Sequence, residues 1–338
     1  MLNEKGEYRM KAKIIAGLGI VVLAVALCFT LKPKSFDKQF EKVMKDMNTY
    51  ILQGDMEITK GEEVKTYALE VGYEKVDDSD FFKVSILDKE LNQEQVILRN
   101  AEGVFVVTPS LNQVFKFEGD WPLNSPKPYL LQSMVEIVTQ EDASISKEEE
   151  GYVISSPVVY PNNKNYVKEE LMFDKDANIK WVQIYNQDNN VELKIVFQKA
   201  EYNKEMEKDY FTAPTSLETP SSAPVLSEED LPMYPSAVFD AQLSAKNTVS
   251  SNGTTKHMLQ FSGEKNFTVV ESVRASAKST QTVIMPGKIV DHLDVIGFYD
   301  GNHMSAIANG VEFTVFSDEL SPDEMMSVIT SMQVAVMK

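Results

Sequence analysis

The sequence predicts an α+β protein with one transmembrane helix, a large antiparallel sheet packed on helices, and a small α+β domain at its C-terminal end. Three observations lead to this prediction. Residues 14–31 form an uncharged apolar run. From residue 56 to residue 117 apolar residues alternate with polar ones, which is the period of a half-buried strand. Residues 213–230 are rich in proline and acidic residues, as an extended linker is, and a second set of strand and helix patterns follows them.

The composition excludes several classes of function. A chain of 338 residues with 43% hydrophobic and 25% charged residues can build two folded domains. Its net charge of -18 repels nucleic-acid phosphates, so a nucleic-acid partner is excluded. Cys28 is the sole cysteine and lies in the apolar run, so the rest of the chain has no disulfide and no cysteine metal site.

The apolar run is expected to anchor the protein. At about 1.5 Å per residue it just reaches across a hydrocarbon core of about 30 Å. Basic residues precede it, which predicts a cytoplasmic tail at 1–13, an anchor at 14–31 and an extracytoplasmic bulk on the cell membrane. Two alternatives stay open at this point. The small residues Ala24 and Ala26 resemble a signal cleavage site, and residues 25–28 resemble a lipobox that would place a lipid on Cys28.

A first folded domain is predicted at 35–212. Phe36, Phe40, Val43, Met47 and Ile51 recur at helical spacing, which predicts a helix that begins after Ser35 and ends near Gly54. Strand patterns follow at 67–73, 82–86, 96–99, 104–107 and 114–117. Pro128 opens a second helix that carries five apolar residues, Leu130, Leu131, Met134, Ile137 and Val138. Further strand patterns at 152–154, 166–173, 179–185 and 191–197 are separated by turns rich in Asn and Asp.

A small α+β domain is predicted at 231–338, beyond the linker at 213–230. Strand patterns occur at 255–261, 266–272, 283–285 and 311–316. Ser321 and Glu324 form a capping box around Pro322 at the first helical position, which predicts a helix start there. Because the linker has few apolar residues, the two domains are expected to separate on limited proteolysis.

The sequence carries no recognised catalytic motif. It contains neither a nucleophile elbow, a zinc-protease helix nor a glycine-rich phosphate loop, so we expect a protein that is not an enzyme and that binds no cofactor. A zinc site from His257, His292 and His303 is a weaker hypothesis, since no two of them are spaced as a local ligand pair. Surface and turn histidines are the simpler interpretation, and no metal is expected.

The order of elements resembles a known superfamily. The segments VTPSLNQV at 107–114 and LMFDKDAN at 171–178, the helix after residues 121–122, and KDYFTAP at 208–214 resemble the LolA/LolB-like lipoprotein-carrier superfamily, with KDYFTAP as its final strand. Farther on, LPMYP at 231–235 and GVEFTV at 310–315 resemble the YdcC-type sporulation-associated proteins of Gram-positive bacteria. Those proteins join the two domains behind a membrane segment.

The resemblance implies a half-open antiparallel barrel wrapped over helices, with an apolar groove for acyl chains. The residues expected to line this groove are Tyr67, Leu69, Val71, Phe82, Val84, Ile86, Leu130, Leu131 and Met134. A fully filled core is the alternative for the same residues.

Two functional hypotheses follow for the envelope. In the first, the groove binds a lipid or a lipidated protein. In the second, which resembles the RseB-type regulators, it binds a segment of a partner envelope protein, for example a sporulation or germination amidase, and holds no lipid.

Overall fold

The computed structural model describes residues 36–61, 63–117, 127–160, 163–217, 226–251, 253–285 and 287–334. The predicted tail at 1–13, the anchor at 14–31, residues 121–122 and part of the predicted linker, residues 218–225, lie outside the described residues. Within the described ranges, no helix is long and apolar enough to cross a membrane.

The first part of the chain forms helices α1 and α2 and eleven strands. These elements are α1 (Phe36–Lys45), β1 (Thr49–Lys60), β2 (Glu63–Val76), β3 (Ser79–Asp88), β4 (Gln93–Asn100), β5 (Gly103–Thr108), β6 (Gln113–Phe117), α2 (Leu131–Thr139), β7 (Ser144–Lys147), β8 (Gly151–Pro157), β9 (Lys168–Asp174), β10 (Ile179–Tyr185) and β11 (Val191–Tyr202).

The second part forms ten strands and helix α3. They are β12 (Met233–Pro235), β13 (Ala241–Ser251), β14 (Thr254–Gly263), β15 (Phe267–Val273), β16 (Gln281–Met285), β17 (Lys288–Asp291), β18 (Ile296–Tyr299), β19 (His303–Ala308), β20 (Val311–Phe316), α3 (Pro322–Thr330) and β21 (Met332–Val334). The prediction of helices packed on antiparallel sheets is confirmed in this coarse form, and the described chain is mostly β-sheet.

The large sheet has twelve strands in the order β16-β6-β5-β4-β3-β2-β1-β11-β10-β9-β8-β7. Its two end strands, β16 and β7, do not pair with each other, so among the described residues this sheet is open and not a closed barrel. All neighbours are antiparallel except β16, which runs parallel to β6. That strand comes from the second part of the chain, so the two parts share one sheet.

Helices α1 and α2 cover one face of the large sheet and contact each other. Phe36 and Phe40 of α1 are fully buried, and their rings lie 4.4 Å from Tyr152 and 4.6 Å from Phe173. Burying one such side chain stabilises the fold by about 1.5–3 kcal/mol. The apolar stripe of α1 therefore fixes this helix on the core.

The predicted first helix is too long. It ends at Lys45, and residues from Thr49 onward form β1, which pairs with β2 on one side and with β11 on the other. Tyr50, Leu52 and Met56 are fully buried and follow the period of two. The helical spacing of Met47 and Ile51 is coincidental, because two ladders of backbone hydrogen bonds outweigh it.

The segment KDYFTAP is also not a strand. Residues 208–211 form a turn, and Phe211 packs with Leu98, Phe105 and Val114 against the second face of the large sheet. The ring of Tyr210 lies so close to Gly72 that a Cβ at this glycine would approach it to 2.3 Å. The segment thus closes the back of the sheet with side chains and adds no backbone ladder.

The small sheet has seven strands in the order β13-β14-β15-β20-β19-β18-β17. Helix α3 packs on one of its faces through Met325, Met326 and Val328, which are fully buried. The capping box is confirmed, because the Ser321 hydroxyl accepts from the Glu324 backbone N–H and the Glu324 carboxylate accepts from the Ser321 N–H. Strands β12 and β21 pair beside this helix.

Candidate functional site

A cleft of about 580 Å³ lies where the second part of the chain meets the large sheet. One wall comes from the end of β1, the start of β2, Lys127 and the loop that carries Tyr160 and Tyr166. The other wall comes from Ser236, the turn at 291–294 and the end of α3 with the start of β21. We call this space the junction cleft. Its volume falls in the range of ligand pockets, about 300–1,000 Å³.

The turn at 291–295 between β17 and β18 projects towards the large sheet. It is closed by a hydrogen bond from the His292 N–H to the Val295 carbonyl, and the Asp291 carboxylate caps the Leu293 N–H at 2.8 Å. Leu293 has a left-handed backbone with φ of 70°, which is costly for a residue with a side chain. Such strain is kept only where surrounding contacts hold it in place.

A buried ion pair provides one of those contacts. The Lys127 ammonium lies 2.9 Å from the Asp291 carboxylate, and the two side chains are 2% and 0% exposed. The Tyr129 hydroxyl donates to the same carboxylate oxygen at 3.3 Å. Removing one partner of such a pair costs about 3–5 kcal/mol, since the other charge stays buried. The pair joins the segment that precedes α2 to strand β17 of the small sheet.

A second contact crosses the junction beside the cleft. The Tyr67 hydroxyl on β2 donates to the Asp294 carboxylate at 3.0 Å. Burial raises the pKa of Tyr67, and the nearby Asp294 charge raises it further, so this phenol stays a donor. Tyr67 and Ile86 line a second cavity of about 120 Å³, which shares Lys65, Asp294, Thr330 and Met332 with the junction cleft.

Two tyrosines form the aromatic side of the junction cleft. The rings of Tyr160 and Tyr166 meet edge to face at 5.4 Å. The Tyr160 hydroxyl donates to Glu169 at 2.8 Å, and Glu169 is only 2% exposed. Burial raises the pKa of Glu169 to about 7, although the hydrogen bond from Tyr160 lowers it. The cleft thus combines aromatic, hydroxyl, carboxylate and ammonium groups, which suit hydrogen bonding to a polar ligand.

All nine residues predicted to line an acyl groove are buried, each at most 6% exposed, in a single core cluster with α1 and α2. Of the nine, Tyr67 and Ile86 also line a cavity, the smaller one described above. Ile289, Ile296 and Phe298 of the second part belong to the same cluster, and Phe298 stacks on Phe117 at 4.8 Å. The groove itself stays a prediction.

The three histidines lie in separate places. His257 bonds Glu228 at 2.7 Å, His303 lies 2.8 Å from Asp300, and His292 lines the junction cleft. No group of metal-ligating side chains occurs among the described residues.

Sequence reasoning missed most of the cleft. Lys127 and Asp291 are 164 positions apart, and the sequence around each residue does not indicate that its side chain is buried. The spacing of Asp291 and Asp294 around one turn is the feature that could have indicated a functional loop.

No protein-family model matches the chain. Among solved structures, the MucA/MucB complex of Pseudomonas aeruginosa aligns at a TM-score of 0.34 and 14% identity, over 89% of this chain and 99% of that one. An uncharacterized conserved protein from Thermus thermophilus aligns at 0.37 and 10% identity, over 53% and 94%.

Among curated proteins, the sporulation protein YdcC of Bacillus subtilis is 29% identical over 333 residues, which is 95% of this chain and 96% of that protein. Over nearly its whole length, the chain is therefore a homologue of a YdcC-type sporulation protein, the resemblance that its sequence predicts.

Proposed function

We propose that this chain is a binding protein of the cell envelope that holds a segment of a partner protein in the junction cleft. The observation that carries the proposal is the cleft itself, whose walls come from both parts of the chain. A ligand there touches both sheets at once. The affinity for such a ligand therefore depends on the relative position of the two parts. A regulatory or scaffold module requires this kind of coupling.

The chemistry of the walls favours a peptide over an acyl chain. Hydroxyl, amide and charged side chains line the cleft, and they can satisfy the N–H and C=O groups of an extended segment. An acyl chain offers no hydrogen bonds, and it would leave these groups without water or a partner. The nine residues expected to hold an acyl chain are buried in one core cluster, and Tyr67 and Ile86 alone among them line the smaller cavity.

The proposal includes location and biological setting. We infer that residues 14–31 anchor the protein in the cell membrane, that the rest is extracytoplasmic, and that the chain binds and does not catalyse. The Bacillus subtilis homologue is a sporulation protein by name, which supports a link to sporulation. The LolA-like half-barrel with a lipid ligand is the competing hypothesis, and the experiment below distinguishes the two.

A photo-crosslinking amino acid placed in the cleft of the full-length protein tests the proposal. Glu63 and Gln333 are exposed residues on opposite walls, and Val249 is an exposed residue that lines neither cavity at the junction. In intact sporulating protoplasts, we expect both cleft positions to cross-link one envelope protein and Val249 to give no such product. Protease added to the intact protoplasts should remove the part of the chain that follows the anchor, because that part is proposed to be extracytoplasmic.

Mass spectrometry of the cross-linked products decides between the hypotheses. A lipid adduct at Glu63 and Gln333 with no protein adduct would favour the lipid-carrier hypothesis. Equal labelling at Val249 would show that the products are not specific to the cleft, and the proposal would fail.

A further inference from the structure

The small sheet carries a row of four side chains that the junction cleft does not use. Gln260, Thr268, Phe316 and His303 are direct register partners across β14, β15, β20 and β19. Directly opposite residues of paired strands point to the same face. With neighbouring strands about 4.8 Å apart, the row is about 14 Å long. We call it the outer row.

The two faces of this sheet differ sharply. Residues next to the outer row in sequence, Leu259, Val269 and Val315, are fully buried on the face that packs with α3. In the outer row itself, Gln260 and Phe316 are exposed and Thr268 and His303 are half-buried. The alternation therefore places a large aromatic ring on the face that solvent reaches.

Phe316 is held in place although it is exposed. Its side chain is 42% exposed, and it is the sole aromatic among the exposed large apolar residues in the described ranges. The His303 ring lies 5.1 Å from it, and His303 is in turn positioned by Asp300 at 2.8 Å. An aromatic ring fixed by its neighbours offers a flat surface for stacking at little cost in conformational entropy.

Hydrogen-bonding groups surround the ring. Phe316, Gln260 and Thr268 line a shallow depression of about 470 Å³ together with Asn302 and Ser317. Within the described residues, the Gln260 amide and the Thr268 hydroxyl make no side-chain hydrogen bond, so both can bond a ligand.

The charge of the depression restricts its ligand. Asp318 and Glu319 are among its lining residues, and no lysine or arginine is among them in the part of the chain that the structure describes. A phosphate or carboxylate polymer would be repelled, whereas a neutral or amino-bearing molecule would not.

We propose that the outer row binds a sugar ring of a glycan chain that is neutral or carries amino groups. The apolar C–H face of a pyranose stacks on Phe316, because the negative face of an aromatic ring attracts those hydrogens. The ring hydroxyls then bond the Thr268 hydroxyl, which lies on the strand next to Phe316, and the Gln260 amide, which lies one strand farther along the row. None of the lining residues lines the junction cleft, so this site is independent of the proposed partner site.

Calorimetric titration of the full-length protein in detergent with defined oligosaccharides tests this site. The probes are a tetrasaccharide of β-1,4-linked N-acetylglucosamine, its deacetylated form, and a polyglycerol phosphate. We expect binding of at least one tetrasaccharide and none of the phosphate polymer. Phe316→Ala should weaken binding about tenfold, equivalent to about 1.4 kcal/mol. Phe316→Tyr keeps the ring and should keep the affinity.

Gln260→Ala provides a second test at an exposed position, where a change in folding is not expected. It should also weaken binding, while Val249→Ala, at another exposed apolar residue, should not. The proposal is overturned if neither tetrasaccharide binds at millimolar concentration, if the phosphate polymer alone binds, or if Phe316→Ala and Gln260→Ala both bind as the parent does.

Discussion

Glu169 shows at the scale of one residue how burial couples this fold to pH. Its carboxyl group is 2% exposed and bonds the Tyr160 hydroxyl, and burial raises its pKa to about 7 from an ordinary value of 4.5. Between these two pH values the folded protein keeps a proton that the unfolded chain has lost. The free energy of unfolding must therefore fall as the pH rises through this window, and it levels off above about pH 7.

Replacing Glu169 by Gln should remove this pH dependence. The amide keeps an acceptor for Tyr160 but cannot ionise. The free energy of unfolding of the variant, relative to that of the parent, should therefore rise by on the order of 3 kcal/mol as the pH goes from about 4.5 to about 7. Urea denaturation at a series of pH values measures the difference. Glu57→Gln, at an exposed glutamate, serves as the matched control and should follow the parent. If the free energy of unfolding depends on pH in the same way in Glu169→Gln and in the parent, Glu169 has an ordinary pKa and the prediction is wrong.

The start of helix α3 is the clearest case at the scale of one element, because four consecutive residues are enough to predict its capping box. The Ser321 hydroxyl accepts from the Glu324 N–H at 3.3 Å, and the Glu324 carboxylate accepts from the Ser321 N–H at 2.9 Å. Ser321→Ala should cost about 1 kcal/mol of stability, since a helix-end N–H loses its partner. Ser276→Ala, at an exposed serine outside any helix or strand, should cost much less.

Hydrogen exchange separates this prediction from a general loss of stability. Faster exchange confined to α3 in Ser321→Ala is the expected result, because the helix frays from its unsatisfied end. Unchanged exchange in α3 would mean that its packing on the small sheet alone holds the helix.

Local pattern predicts those elements in which one face is buried. The strands at 67–73, 82–86 and 311–316 have an apolar face and a polar face, and all are strands in the structure. Strand β13 escapes prediction, because nearly all of its residues from Gln242 onward are exposed and no alternation marks them. The Lys127–Asp291 pair is equally unpredictable, since it joins two distant segments that only the folded chain brings together.

At the scale of the whole molecule, the junction is more extensive than a proline-rich linker suggests. Strand β16 adds to the edge of the large sheet, and Ile289, Ile296 and Phe298 lie in the large core. The Lys127–Asp291 pair and the Tyr67–Asp294 hydrogen bond cross the same boundary. These contacts bury apolar surface and charge that separate domains would expose, so the two parts stabilise each other.

Cutting the linker should therefore leave one particle. With a specific protease site placed within residues 218–225, the cleaved full-length protein should elute from a size-exclusion column as a single species. The linker composition alone predicts the opposite result, two separate domains. Phe298→Ala should weaken this association, because it removes the ring that stacks on Phe117 and leaves a cavity costing about 3–5 kcal/mol. Phe316→Ala, at an exposed phenylalanine of the same small sheet, should leave the association intact. Two folded fragments that separate after cleavage of the parent would instead show that each part is stable alone and that the junction cleft opens freely.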